Sequence, residues 1–336
     1  MTIVLTSLAF AVAAFCAGVM GFAIQRGATC TVAAVDEVVG KRGFRRLLSM
    51  FEASLWVAGG LALAQALGML PTMPAGYAVG ALTIVGGVLL GVGAYVNRAC
   101  VFGAIARLGS GEWSYVATPI GFYVGCITLP WLYTAPAQHK LTYGSPVLQL
   151  SSAIALMFVV FVLVRVVVAF RASKDGTDSQ PPLARARQFL ATRIWSPHAA
   201  TTIIGIAFVV MLLLVGAWAY TDVLAELARG MSRNLVARIL LLVALFGGAA
   251  LGGWTAGRFR PTGITPARLL RCFLGGALMG WGSLLIPGGN DGLILVGLPL
   301  LWPYAWLAFL TMCVSIGVAQ LFSKSLIVAD QGNVGS

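Results

Sequence analysis

Long stretches without a charge alternate along this chain with short clusters of Lys, Arg, Gly and Pro. A helix crossing a bilayer needs about 20 predominantly apolar residues. Nine runs approach that length, near 2–24, 53–70, 76–97, 114–135, 147–170, 200–220, 236–257, 270–287 and 304–323. Three further segments, Thr29 to Val39, Ala99 to Leu108 and Asp291 to Leu301, are too short to span and too apolar for exposed loops. Each follows a Gly-rich or polar break, which fits a half-helix. Irregular backbone in lipid leaves hydrogen-bonding groups unsatisfied, so these breaks must be buried in protein or line a wet cavity. The pattern therefore predicts an all-α integral membrane protein with about nine transmembrane helices plus short re-entrant half-helices.

Two of the runs share one frame. Gly86-Gly87-x-x-x-Gly91-x-Gly93-x(9)-Gly103 returns as Gly275-Gly276-x-x-x-Gly280-x-Gly282-x(9)-Gly292 at a constant offset, and Trp113 and Tyr115 fall on Trp302 and Tyr304. Such self-similarity marks an internal repeat. The frame ends the third run and the eighth, an odd number of spans apart, so the copies are expected to point in opposite directions. Inverted repeats in transporters enclose a site near the bilayer midplane. The glycines at 21, 91, 93, 103, 280, 282 and 292 then have two readings: a bare helix face for close packing, or a sharp turn beside a ligand. Division follows the repeat, with an N-terminal membrane half over 1–170, a polar cytoplasmic linker over 171–198 and a C-terminal membrane half over 199–336.

Composition agrees with the membrane reading, at 59% hydrophobic and 10% charged residues and a mean hydropathy of +0.93. The first run carries no charge between Met1 and Gln25, so it lacks the basic head of a cleavable signal. The loops after the first, third, fifth, seventh and ninth runs hold 5, 2, 5, 3 and 1 Lys or Arg, while the other loops hold 3 in all. By the positive-inside rule the N-terminus faces outward and the C-terminus inward, with Lys41, Arg42, Arg45, Arg46, Arg185 and Arg187 in the cytoplasm. The net charge of +12 is thus a topology signal and not a nucleic-acid footprint.

Chemistry concentrates at two breaks. Cys30 lies nine residues after Gly21 and Cys100 nine after Gly91, each at the start of an expected half-helix. Gln25 and Arg26 precede the first, Asn97 and Arg98 the second. A guanidinium, amide donors, helix N-termini and a weakly donating thiol suit a small anion. Arg26 and Arg98 have the alternative of pairing with backbone carbonyls or with Asp36 or Glu37. Cys16, Cys126, Cys272 and Cys313 sit inside spans without polar company and read as small hydrophobes. A third break reads Gly288-Gly289-Asn290-Asp291, with Gly289 opposite Cys100 in the repeat. Asp291 is either a helix N-cap, a proton or cation site, or a repulsive element in anion choice, and Asn290 offers an amide donor. There is no CxxC and no carboxylate cluster, and His139 and His198 lie in polar loops, so neither a metal nor a disulfide framework is expected. Nor is there a phosphate-binding GxxxxGK[ST], a cofactor motif or an enzymatic constellation.

The blocks GVMGFAIQRGATCTVAAVDEVV, GGVLLGVGAYVNRACVFGAIARLGSGEWSY and GGALMGWGSLLIPGGNDG resemble the YeeE/YedE family of sulfur-transport membrane proteins, which includes thiosulfate transporters. The resemblance covers most of the chain and implies a nine-span inverted-repeat fold in the inner membrane, with half-helices dipping into an hourglass-shaped interior. It implies uptake of thiosulfate past cysteines on a central path, with Cys30 and Cys100 matching the first two, and a cytoplasmic sulfurtransferase partner. A third path cysteine is absent, its place taken by Gly289-Asn290-Asp291. Alternatives from other classes are a sulfur relay that carries a persulfide on Cys30 or Cys100, a transporter of a different small anion, and a channel or scaffold with structural cysteines.

Overall fold

The computed structural model describes residues 7–134, 138–175, 194–230 and 234–334, and the basic cluster at Arg185 and Arg187 lies outside them. Among the described residues the chain is helical throughout, with two isolated bridges, Tyr77 to Lys140 and Glu112 to Thr262, in place of strands. The helices run α1 (Leu8–Gly27), α2 (Thr31–Lys41), α3 (Arg45–Ala66), α4 (Ala81–Asn97), α5 (Val101–Gly109), α6 (Ala117–Leu132), α7 (Ser151–Asp175), α8 (Pro197–Val215), α9 (Tyr220–Ala228), α10 (Leu235–Thr255), α11 (Pro266–Leu285), α12 (Asn290–Gly297) and α13 (Pro303–Val334).

Seven stretches are long and apolar enough to cross a membrane, and α11 with α12, bent by 53° at their break, make an eighth. The apolar part of α7, Ser151–Val167, is shorter. Large side chains such as Leu8, Phe15, Leu163 and Leu310 face outward, the reverse of a water-soluble protein. Trp131 and Trp254, 84% and 71% exposed, stand one residue from the ends of α6 and α10, where aromatic anchors meet the membrane surface.

Four units repeat one design: a long helix breaks and a short one follows, as α1–α2, α4–α5, α8–α9 and α11–α12. The expected half-helices appear as α2, α5 and α12. A fourth, α9, is new, because the run expected to span 200–220 ends at Val215 and turns at Gly216 (φ 87°). In α12 the segment Leu293–Gly297 is π-helical, a winding frequent at functional sites.

Helices of the two halves interlace. α1 packs on α8 and α10, and α4 on α11 and α13. Small residues permit this. A Cβ on Gly86 would lie 2.9 Å from Gly282 O and one on Gly282 2.6 Å from Gly86 O, while Gly93 and Gly275 each stand 2.7 Å from the other's carbonyl. The two glycine frames therefore face each other.

The buried breaks are satisfied by side chains, as a spanning fold requires. Ser54 Oγ donates to Ile294 O at 2.8 Å inside the π-helical segment, and Ser145 Oγ to Leu300 O at 2.7 Å. Outside the centre, Glu52 ties three helices, accepting from Arg165 Nη2 at 2.9 Å and Thr202 Oγ1 at 3.4 Å and meeting His198 Nδ1. Arg165 and His198 are half-exposed, so solvent weakens the cluster. Glu52→Gln is expected to cost about 1 kcal/mol, read as a small fall in the thermal midpoint of the purified protein.

Candidate functional site

The first two breaks are the same structure built from different residues. α1 ends with Ala28 left-handed (φ 47°), Ala28 N donating to Gln25 O at 3.3 Å and Thr29 N to Ile24 O at 3.2 Å. α4 ends with Arg98 left-handed (φ 58°), Arg98 N donating to Tyr95 O at 2.9 Å and Ala99 N to Ala94 O at 3.1 Å. This double bond is a Schellman ending, here without its usual glycine. Two residues past each left-handed position the backbone becomes extended at Cys30 and Cys100, the N-cap residues of α2 and α5.

The two cysteines then hold each other's helix. Cys30 Sγ accepts from Cys100 N at 3.5 Å, and Cys100 Sγ accepts from Thr31 N at 3.1 Å. Neither thiol caps its own helix. The adjoining Thr31 Oγ1 donates to Asn290 Oδ1 at 3.5 Å, which brings α12 to the same point. The fourth short helix joins through Asp291, whose carboxylate accepts from Thr221 N at 3.2 Å and from Thr221 Oγ1. Four N-termini thus meet, with N-cap residues Cys30, Cys100, Ala219 and Gly289. Each contributes amide donors and the positive end of its dipole, weaker in the three-residue turn that opens α12.

Two cavities flank this meeting point. One, about 470 Å³, is lined by Cys30, Arg98, Arg107, Arg46 and Asp36 among others. The other, about 430 Å³, is lined by Gly288, Gly289, Gly292, Trp218 and Asp222 among others. Thr31, Cys100 and Asn290, fully buried, and Asp291, 2% exposed, line neither. They form a closed constriction between the two.

Of the residues singled out from sequence, Cys30, Cys100, Asn290 and Asp291 come together here, with Gly289 and Gly292 on one cavity wall and Arg98 on the other. The remaining polar residues brace the frame. Asn97 Nδ2 donates to Ala99 O at 2.8 Å, its Oδ1 accepts from Thr118 Oγ1 at 3.0 Å, and its carbonyl accepts from Tyr115 OH at 3.2 Å. Gln25 Nε2 donates to Ser110 Oγ at 3.2 Å. Arg26 is fully buried, donates to Thr255 Oγ1 at 2.8 Å and lies over the Phe22 ring. Asp36 and Glu37 pair elsewhere, with Lys324 and Arg46.

The glycines divide by neighbour. Gly21 meets Leu245 O, Gly91 meets Ser315 and Met312 O, and Gly280 meets Phe122 O, all at helix crossings, whereas a Cβ on Gly103 would strike Cys30 Sγ at 2.5 Å. One expectation needs correction: Cys126 has polar company, since its thiol donates to Gly280 O at 3.7 Å and faces Ser283 Oγ at 3.9 Å across α6 and α11. Among the described residues no group of three or more His, Cys, Asp or Glu could hold a metal.

Long outward-apolar helices around converging, buried half-helices define a multi-span all-α membrane protein of the transporter type. Residues 26–318 match the family described as Sulphur transport, and the chain belongs to that YeeE/YedE family. No curated protein matches it.

Proposed function

We propose that the protein imports a small sulfur-containing anion, thiosulfate best of all, through the constriction between the two cavities. The observation that carries this reading is the reciprocal contact of Cys30 and Cys100, two soft thiols beside the amides of two helix starts. Each sulfur accepts an N–H. Rotation of the thiol turns S–H toward an arriving anion and frees the amide to donate as well. Such contacts are weak enough to release, which passage through successive sites requires. Arg98 on the Cys30 cavity draws the anion onward, beside Arg46 and Arg107, which are paired with Glu37 and Glu112.

The path runs from the Gly288–Gly289 cavity on the outside, past Asn290, Cys100 and Thr31, to Cys30 on the cytoplasmic side of the inner membrane. This agrees with an outward N-terminus, an inward C-terminus and an inverted repeat, for which the reciprocal Gly86–Gly282 and Gly93–Gly275 contacts are the support. A cytoplasmic sulfurtransferase that consumes the anion is the fitting partner. The protein itself catalyses no reaction in this reading.

The test is uptake of radiolabelled thiosulfate by liposomes carrying the purified protein, with unlabelled sulfate, sulfite and thiosulfate as competitors. Saturable uptake displaced by thiosulfate and not by sulfate is the expected result. Uptake displaced equally by sulfate would assign a different anion. A persulfide mass on Cys30 without transfer of label into the lumen would favour the relay.

A further inference from the structure

Two carboxylates stand at the Gly289 end of the constriction. Asp291 is held by Thr221 N and Oγ1. Asp222, the next residue of α9, lies beside Gly292, its oxygens 3.6 and 3.7 Å from where a Cβ there would sit, and it lines the 430 Å³ cavity. The charged groups facing Asp222 are Asp291 from α12, Glu226 and Arg229 from α9 and Arg238 from α10. Tyr304 of α13 also faces it, with Tyr77 behind, and Tyr220 faces Asp291 and Cys100. Arg238 is paired with Glu226, and Arg229 donates from Nε to Ala225 O at 3.2 Å, so both charges act on Asp222 without direct contact. Among the described residues, no Lys, Arg or His forms an ion pair with Asp222 or Asp291.

A second observation concerns donors. Asn290 Nδ2 and Trp218 Nε1 are buried without a hydrogen-bond partner among the described residues, in side chains 0% and 5% exposed. Trp218 shares the walls of the 430 Å³ cavity with Asp222 and of a small gap with Asp291. Buried donors left open call for an acceptor, and a passing anion supplies one. An anion held there would stand against ionised carboxylates in a poorly solvated place, a repulsion that binding of a proton removes. Inward movement of an anion also runs against an inside-negative potential, so net uptake needs a driving partner.

We propose that Asp291 and Asp222 form a proton site that couples anion entry to proton entry, with Asn290 and Trp218 holding the anion beside it. The pair takes a proton from the Gly289 cavity as the anion settles, and gives it up to the Cys30 side when the constriction opens, so that proton and anion both leave inward. This rests on the transport reading above and adds its energy source.

The experiment uses the full-length protein in liposomes, with voltage held at zero by potassium and valinomycin, and labelled thiosulfate outside. An inward gradient of one pH unit is expected to raise accumulation about tenfold for one proton per anion. Asp291→Asn and Asp222→Asn should each bring the ratio with and without the gradient close to one. Exchange of labelled for unlabelled thiosulfate at equal pH reports whether each variant still has a working path. Wild-type exchange without any response to the pH gradient, a response to a sodium gradient in its place, or variants that exchange and keep the full pH response would each overturn the proposal. Loss of exchange in the wild type would overturn the transport reading and this one with it.

Discussion

Cys100→Ala is expected to lower thiosulfate uptake at least about tenfold, a barrier increase of about 1.4 kcal/mol, at unchanged abundance in the membrane. The side chain is fully buried, and its sulfur is the acceptor for Thr31 N at 3.1 Å. Alanine removes that acceptor and one of the two thiols at the centre, and leaves the amide at the start of α2 without a partner. A buried amide left open costs about 1–3 kcal/mol, so the thermal midpoint should fall while the protein still folds. The helix crossings that hold α4 to α11 and α13 lie elsewhere and are untouched. Cys313→Ala provides the control. That thiol is half-buried in α13, far along the sequence from any break, and its loss should leave uptake as it was. Uptake abolished by Cys313→Ala and preserved in Cys100→Ala would place the path elsewhere.

Gly91→Leu is expected to remove folded protein altogether. A Cβ at Gly91 would lie 1.8 Å from Ser315 Oγ and 2.5 Å from Met312 O, so even the first carbon collides with the backbone of α13. Overpacking of a close crossing costs about 1–3 kcal/mol for a methylene or two, and leucine adds three further carbons on a helix with no room to retreat. Detergent-solubilised Gly91→Leu should elute as aggregate in size-exclusion chromatography. Gly247→Ala should elute as the wild type, because nothing lies within 4 Å of a Cβ there. A monodisperse Gly91→Leu would mean that α4 and α13 are free to separate.

The apolar runs and the breaks before Cys30 and Cys100 were readable because charge and hydropathy change abruptly there. α9 was not. The stretch Gly216-Ala-Trp-Ala-Tyr220 carries no charge, so no charged step marks the turn, and Gly216 is the one local signal of it. The left-handed endings were hidden for a related reason, since Ala28 and Arg98 occupy positions where glycine is the usual signal. At the site, residue types near the cysteines suggested a cluster, yet Gln25, Arg26 and Asn97 bond to Ser110, Thr255 and Thr118. Proximity along the chain does not say which way a side chain leaves a helix. The pairing of Asp291 with Thr221 is likewise a contact between two breaks, and no local pattern encodes it.

The facing glycine frames of α4 and α11 have a mechanical consequence. A contact made of backbone has no rotamers to exchange, so it offers no second packing into which the two helices could slide. The long helices around it act as a fixed casing. In the proposed transport, opening between the cavities would therefore come from the short helices α2, α5, α9 and α12, each joined to the long helix before it through a break of three or four residues. Opening would then consist of small tilts of these four tips about their breaks, an iris set in a rigid mount.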